Sequence, residues 1–261
     1  MNILITGIAS GIGNAIAQTF ITNGHKVYGL DINEVNLGNA ICFKCDITDK
    51  DKLNNIKENL LANNISFDMI INVAGIHKMV SLVESDFNQI KKLIDINLTG
   101  TMLVNNTFHE LLVQNGKIVI ITSEVAGFDP MPFNGLYNVS KTALESYAQA
   151  LRQEINLIGQ KVITIQPGAI ETTLASNSIN DTEQLANNTK LYKKQAKNFS
   201  NIAKKFMGKP IKTEKLAKFI YKNTTKRNPK YTYKIHHNLG LVLLNILPKK
   251  IQCAIIKLIL N

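Results

Sequence analysis

Apolar residues gather along this chain in short runs, separated by stretches whose hydrophobic positions return every three or four residues. The runs Ile3 to Thr6, Lys26 to Asp31, Ile41 to Asp46, Met69 to Val73, Lys117 to Thr122 and Lys161 to Gln166 are rich in Val, Ile and Leu. Near-continuous apolar runs of this length predict strands covered on both faces, as in a parallel sheet. Between them, Ile12, Ile16, Ala17 and Phe20, or Leu144, Tyr147, Ala148 and Leu151, follow the helical period and predict amphipathic helices. Regular alternation of the two predicts an α/β fold with a doubly wound parallel sheet, and no segment repeats at a fixed period.

The pattern changes after Gln166. Pro167-Gly168 is followed by a polar stretch from Glu171 to Asn201, then a helical pattern at Leu216 to Tyr221 and an expected edge strand at Lys230 to Ile235. Ligands of such sheets bind beyond the carboxyl ends of the strands, so a segment leaving there predicts a substrate lid over about 171–210. The expected organisation is one domain at 1–235, which includes the lid, and an apolar, basic and helical extension at 236–261. A chain of 261 residues can bury one large core.

Charge is unevenly spread. The net charge is +11, yet residues 1–173 carry 12 Lys and Arg against 16 Asp and Glu, whereas 174–261 carry 18 against 3. The Lys-rich stretch Lys190 to Lys234 has Tyr192, Phe199 and Phe206 interspersed, but no nucleic-acid module surrounds it, so a solvated lid helix is expected and no nucleic-acid partner. Three cysteines leave one unpaired, which points to a reducing compartment. With a strand starting directly after Met1, no signal peptide is expected, and the expected location is cytoplasmic.

Thr6-Gly-Ile-Ala-Ser-Gly-Ile-Gly13 follows a strand and opens a helix. Its glycines permit a tight turn and close approach of a pyrophosphate to the free N–H groups and positive dipole of the helix. Asp31, at the end of the second strand, has the spacing of a carboxylate that accepts from an adenosine ribose and would repel a 2′-phosphate. Ser10 adds no cation to the turn, so NAD is favoured over NADP.

Tyr137 and Lys141, four residues apart, share one helix face. A phenol titrates near ~10, and a neighbouring ammonium with an oxidised nicotinamide is expected to bring Tyr137 into working range. Together with the turn, this arrangement resembles the short-chain dehydrogenase/reductase family, whose fold is a Rossmann-type doubly wound sheet. The likeness runs from Ile3 to about Thr173. Thr6, Gly7, Gly11 and Gly13 look like the TGxxxGxG turn. Asp46 with Ile47 resembles the pair that meets the adenine. Asn72-Val-Ala-Gly75 is similar to the NNAG segment, with Val73 in place of the second Asn. Asn97 resembles the asparagine that shapes a helix and holds a relay water; Tyr137-Asn-Val-Ser-Lys141 matches YxxxK, and Pro167-Gly-Ala-Ile-Glu-Thr172 matches PGxxxT.

The resemblance implies hydride transfer between a nicotinamide and a carbonyl or alcohol, with Asn97, Ser123, Tyr137 and Lys141 as the catalytic set. The family serine usually lies thirteen residues before the tyrosine, where this chain has Glu124. Ser123 is assigned instead, on a loop one residue longer, because an ionised Glu124 would repel a developing alkoxide. The dinucleotide would be held by Thr6, Gly7, Ser10, Gly11, Ile12, Gly13, Asp31, Asp46, Ile47, Asn72, Ala74, Gly75, Pro167, Gly168, Ile170 and Thr172, with Tyr137 and Lys141. A homodimer or homotetramer is implied in the same way.

Cys42 and Cys45 form a CxxC without a second ligand pair, so packing rather than metal binding is expected, and His236-His237 are read as packing or surface residues. The tail from Leu239 to Leu260 has two readings. Nine apolar residues to Leu247 cannot span a bilayer of about 30 Å, but with Lys249, Lys250 and Lys257 they suit an anionic membrane surface. They equally suit cover for a substrate pocket or a subunit contact. The Pro-Phe-Asn approach to Tyr137 and the Leu-Pro tail resemble family members acting on lipid-like substrates. A non-catalytic dinucleotide sensor on the same fold is the alternative function.

Overall fold

The computed structural model describes residues 1–206 and 209–261, without the side chains of 173–177, 179 and 204–206. Met207 and Gly208 of the expected lid lie outside the described residues. In chain order come β1 (Asn2–Thr6), α1 (Gly11–Thr22), β2 (Lys26–Asp31), β3 (Ala40–Lys44), α2 (Lys50–Ala62), β4 (Phe67–Asn72) and α3 (Phe87–Ile94). A π-helical stretch, Asp95–Gly100, joins α3 to α4 (Thr101–Phe108). Then follow β5 (Leu112–Ile121), α5 (Gly135–Asn156), β6 (Lys161–Pro167), β7 (Ile170–Glu171), α6 (Thr173–Asn188), α7 (Lys193–Phe206), β8 (Ile211–Lys212) and α8 (Thr213–Thr224). β9 (Thr232–Ile235), α9 (Leu239–Ile246) and α10 (Lys249–Leu260) complete the chain.

Among the described residues the main sheet has seven strands, all parallel, in the order β3-β2-β1-β4-β5-β6-β9. Alternate side chains along each strand feed two cores. Leu4, Leu30, Ile70, Ile118, Ile120 and Val162 pack against α2, α4 and α5 through Leu53, Phe108 and Leu144. Ile3, Ile5, Met69, Ile71, Val119 and Ile163 pack against α1 and α8 through Ile16, Phe20, Leu216 and Ile220. The doubly wound, Rossmann-type sheet expected from the run pattern is therefore present, with both faces covered.

Some boundaries differ from the expected ones. β5 begins at Leu112 rather than Lys117, because Leu112 pairs with Phe67 across an irregularity in β4. The polar Gln114-Asn-Gly116 inside it, with Asn115 at φ +68°, masked that extension. Asp49 and Asp86 cap α2 and α3 by accepting from Lys52 and Asn88 N–H groups. The segment expected as a lid holds α6 and α7, and the tail is two short helices, with Leu260 packed among Ala196, Phe199 and Phe133.

The sheet cores set the stability. Replacing the fully buried Phe108 by Ala should cost about 3–5 kcal/mol in urea unfolding. Leu157→Ala, at a position 85% exposed, should stay within about 0.5 kcal/mol.

Candidate active site

The winding direction reverses at β1, whose neighbours β2 and β4 are reached by connections on opposite sides, and ligands of such sheets sit at this switch. The glycine turn occupies that edge. Gly7 and Gly11 have φ of +70° and +53°, which L side chains rarely adopt. A Cβ on Gly13 would fall 2.0 Å from the Gly7 carbonyl oxygen, so the turn closes on itself only with glycine there. Ser10 stands at the N-cap of α1 with no side-chain cap bond, and no acidic residue occupies the first helical turn. Ile12 is half-buried beside it. The positive end of α1 is thus left facing the crevice, as an anionic pyrophosphate requires.

Thr6 braces the turn from behind. It is buried, and its hydroxyl accepts from the N–H groups of Val73 and Ala74 at 3.0 and 3.1 Å. Asn72 is likewise buried and donates to Asn105 Oδ1 at 2.8 Å, with its own Oδ1 unpartnered among the described residues. Both residues brace the crevice through bonds inside the chain. Asp31 closes the adenosine side: one carboxylate oxygen accepts from Ala9 N–H at 2.9 Å and the other from Asn33 N–H at 3.0 Å. Asp46 is exposed and bonded to Thr48, whereas Ile47 is buried beneath Gly100.

At the other side of the crevice lie Pro167 and Gly168, with Gly168 N–H donating to Ile235 O at 2.9 Å. Ile170 is buried in β7, and the Thr172 methyl approaches Gly11, 3.5 Å from where a Cβ would stand.

The catalytic candidates meet between α5, the π stretch and the end of β5. Asn97 is fully buried; its amide accepts from Ile76 N–H at 2.7 Å and donates to Ile76 O and Ser140 Oγ at 2.8 and 3.1 Å. A Cβ on Gly75 would lie 3.2 Å from Asn97 Oδ1 and 3.7 Å from Lys141 Nζ, close enough that Asn97 would have to give by a few tenths of an ångström. Lys141 Nζ donates to Ile121 O at 3.1 Å and lies 5.8 Å from the Tyr137 ring centre. Ser123 is hydrogen-bonded to Tyr137. Glu124 points elsewhere, its carboxylate accepting from Asn238 N–H at 2.6 Å.

Two residues not singled out from sequence, His77 and Asn138, complete this cluster. The His77 ring meets the Tyr137 ring edge-on at 4.4 Å and bridges Asn134 Oδ1 at 3.0 Å and Ser178 Oγ on α6 at 2.8 Å. Asn138 donates to Val125 O and Phe128 O, fixing the Ser123 segment against α5. A ring two residues beyond Gly75, at the carboxyl end of β4, was the available signal for His77. The lid is further clasped to the loop after β4 by Lys78 with Asp181 and by Glu84 with Thr189, Lys190 and Leu191.

The electrostatics correct one expectation. Burial pushes the Tyr137 phenol up to about 12, opposed by its bond with Ser123, and lowers Lys141 to about 8. The expected depression of the tyrosine by its lysine is thus not supplied by the chain's own groups; desolvation outweighs it. His77 is also lowered by burial and stays neutral at pH 7. Outside the site, burial raises Cys42 and pushes Cys45 up to about 11, so neither behaves as a ready thiolate. His236 and His237 bond the carbonyls of Lys209 and Gln166.

The family model described as short chain dehydrogenase matches residues 1–184. The chain belongs to the short-chain dehydrogenase family. It is 31% identical over 185 residues to the NADPH-dependent 1-acyldihydroxyacetone phosphate reductase of Schizosaccharomyces pombe, covering 68% of this chain and 62% of that protein. The chain thus spans under two thirds of that relative's length. It is 28% identical over 263 residues to the probable short-chain type dehydrogenase/reductase VdlC of Helicobacter pylori, covering 98% and 96%. Among solved structures, a short chain dehydrogenase from Burkholderia cenocepacia in complex with NADP is similar at TM-score 0.72 and 21% identity, covering 91% and 97%. A 4-hydroxyisoleucine dehydrogenase complexed with NADH is similar at TM-score 0.70 and 23% identity, covering 90% and 96%. At these identities the structures speak for the shared fold.

The buried ammonium gives a stability signature. Unfolded, Lys141 holds its proton to about pH 10.5; folded, it releases it near 8, so the unfolded state binds more protons between these values and stability rises with pH there. Tyr137 acts oppositely from about pH 10 to 12, where only the folded state keeps the proton. Lys141→Met should therefore stabilise the protein by about 2–3 kcal/mol at pH 7, with the gain shrinking by pH 9.5 in urea unfolding. An equal effect at both pH values would refute a buried charged lysine.

Proposed function

We propose that the dehydrogenase moves a hydride between NAD(H) and the carbonyl or alcohol carbon of an apolar substrate, with Tyr137 as the acid and base on the substrate oxygen. The observation that carries this is the meeting of Ser123, Tyr137, Lys141 and Asn97 at the crevice where the glycine turn opens. An oxidised nicotinamide, when bound, supplies the hydride acceptor and a positive charge.

The chain's residues do the rest. Ser123 Oγ–H orients the substrate oxygen, and Tyr137 Oη gives or takes the proton there. Lys141 offers a cation near the phenol in a site of low dielectric, where its charge acts strongly on whichever tyrosine form carries charge. Asn97 and Gly75 hold Lys141 at that depth, and His77 keeps the lid registered against the tyrosine. Phe133, Tyr192 and Phe199 pack edge to face and join the segment before α5 to α7. The acylated substrate in the name of the S. pombe relative agrees with the choice of an apolar substrate.

NAD is proposed on Asp31, whose carboxylate bonds the turn at Ala9 and would repel a 2′-phosphate. The NADPH in that relative's name points the other way, so the preference is a matter for direct measurement. The same reading expects a homodimer or homotetramer through α4 and α5, whose outer faces expose Met102 and Val139.

With a panel of apolar ketones and secondary alcohols, Tyr137→Phe should lower turnover by about a hundredfold or more while leaving NADH binding unchanged. Full activity in that variant would overturn the assigned role. Asp31→Ser should narrow the ratio of kcat/KM for NAD over NADP by about tenfold; a wild-type preference for NADP would reject the cofactor reading.

A further inference from the structure

α9 and α10 expose large apolar residues on their outer sides. Among the eight residues of α9, Leu-Gly-Leu-Val-Leu-Leu-Asn-Ile, none is buried. Leu239, Leu243 and Ile246 are 77%, 66% and 73% exposed, and their spacing of four and three places them on one stripe. On α10, Ile251, Leu258 and Ile259 are exposed, with Leu258 at 81%. The inner faces are held firmly. Asn238 N–H donates to Glu124, Asn245 Oδ1 accepts from Asp129 N–H, Gln252 donates to Asp129, and Asn198 donates to the Leu260 carbonyl. The outward stripes are thus presented by an anchored segment.

Charge accompanies them. Residues 236–261 carry Lys249, Lys250 and Lys257 and no acidic side chain, within a C-terminal third that is strongly basic. On α10, Lys250 and Lys257 are seven residues apart and flank the stripe of Ile251 and Leu258. No helix among the described residues is long and apolar enough to cross a membrane. We propose that α9 and α10 dock flat on an anionic phospholipid surface, their leucines and isoleucines at the acyl boundary and their lysines among the headgroups. A second copy of this face would bring lysines against lysines, whereas anionic headgroups neutralise them.

Flotation of the full chain with phosphatidylcholine vesicles, with and without phosphatidylserine, tests this. Binding should require phosphatidylserine and weaken with salt. Leu243→Asp with Leu258→Asp should reduce it by about tenfold or more, and Lys250→Gln with Lys257→Gln by about fivefold per charge. NADH binding followed by cofactor fluorescence should persist in all variants, showing that the fold is intact. No flotation of the wild type, or equal flotation of the variants, overturns the proposal. So does a wild type that stays off vesicles while Leu243→Asp splits an oligomer in light scattering, which makes the face a subunit contact. Flotation without turnover would count against the reaction proposed above and leave the docking surface standing.

Discussion

The reversal of winding at β1 is the constraint from which the rest follows. Because the chain leaves β1 toward β2 on one side and reaches β4 on the other, the helices part at the carboxyl ends of these two strands. Backbone there must serve two purposes, ending strands and leaving room. Glycine meets both, at Gly7 and Gly13 on one wall and Gly75 on the other, and each has a neighbour so close that a Cβ would collide with it or press it aside. Thr6 links the walls, since its hydroxyl at the end of β1 holds the two N–H groups that follow β4. The crevice is therefore built before any side chain lines it.

Into that crevice the fold places an ammonium that burial disfavours. Lys141 donates to the Ile121 carbonyl, and burial lowers its pKa. Such a group persists because α5 is over-determined around it: Leu144 and Ala148 lock the helix to the sheet, and Asn138 and Ser140 tie its first turns to the segment after β5 and to Asn97. Stability is given up locally and recovered in the two sheet cores. The tyrosine carries the opposite imbalance, a neutral phenol made reluctant to ionise. Both groups keep their ordinary charge states at neutral pH, but burial narrows the margin for the ammonium and widens it for the phenol, so the pair responds strongly to any added charge.

The fold was largely legible in the sequence because fully covered strands must be continuous in apolar residues, and that pattern survives without knowledge of neighbours. So were the turn, Asp31, and the pairing of Tyr137 with Lys141, whose spacing is local. What escaped depends on contacts distant in sequence. His77 meets Ser178 across 101 positions, and Glu124 finds Asn238 across 114; nothing local marks either pair. The motif that marks Thr6 and Asn72 says nothing of the bonds each makes inside the chain, to the segment after β4 and to Asn105. The Tyr137 pKa failed for a related reason: spacing reveals the nearby lysine and says nothing of the burial that opposes it.

Glu124 connects the site to the tail. Its position immediately after Ser123 would set a carboxylate beside the reacting oxygen, yet the Asn238 N–H draws it away, and the same Asn238 caps α9 through Gly240 and Leu241. The tail is thus what keeps that charge out of the crevice. Asp129, in the loop leading to Tyr137, is likewise engaged by Asn245, Lys249 and Gln252 of the tail. Both acidic groups near the substrate side are neutralised or bonded by residues 238–252, while the tail's lysines and leucines face outward. One short segment thus bonds the Glu124 carboxylate and the Asp129 N–H on its inner side, while Lys250, Lys257 and Leu258 stay exposed on the other.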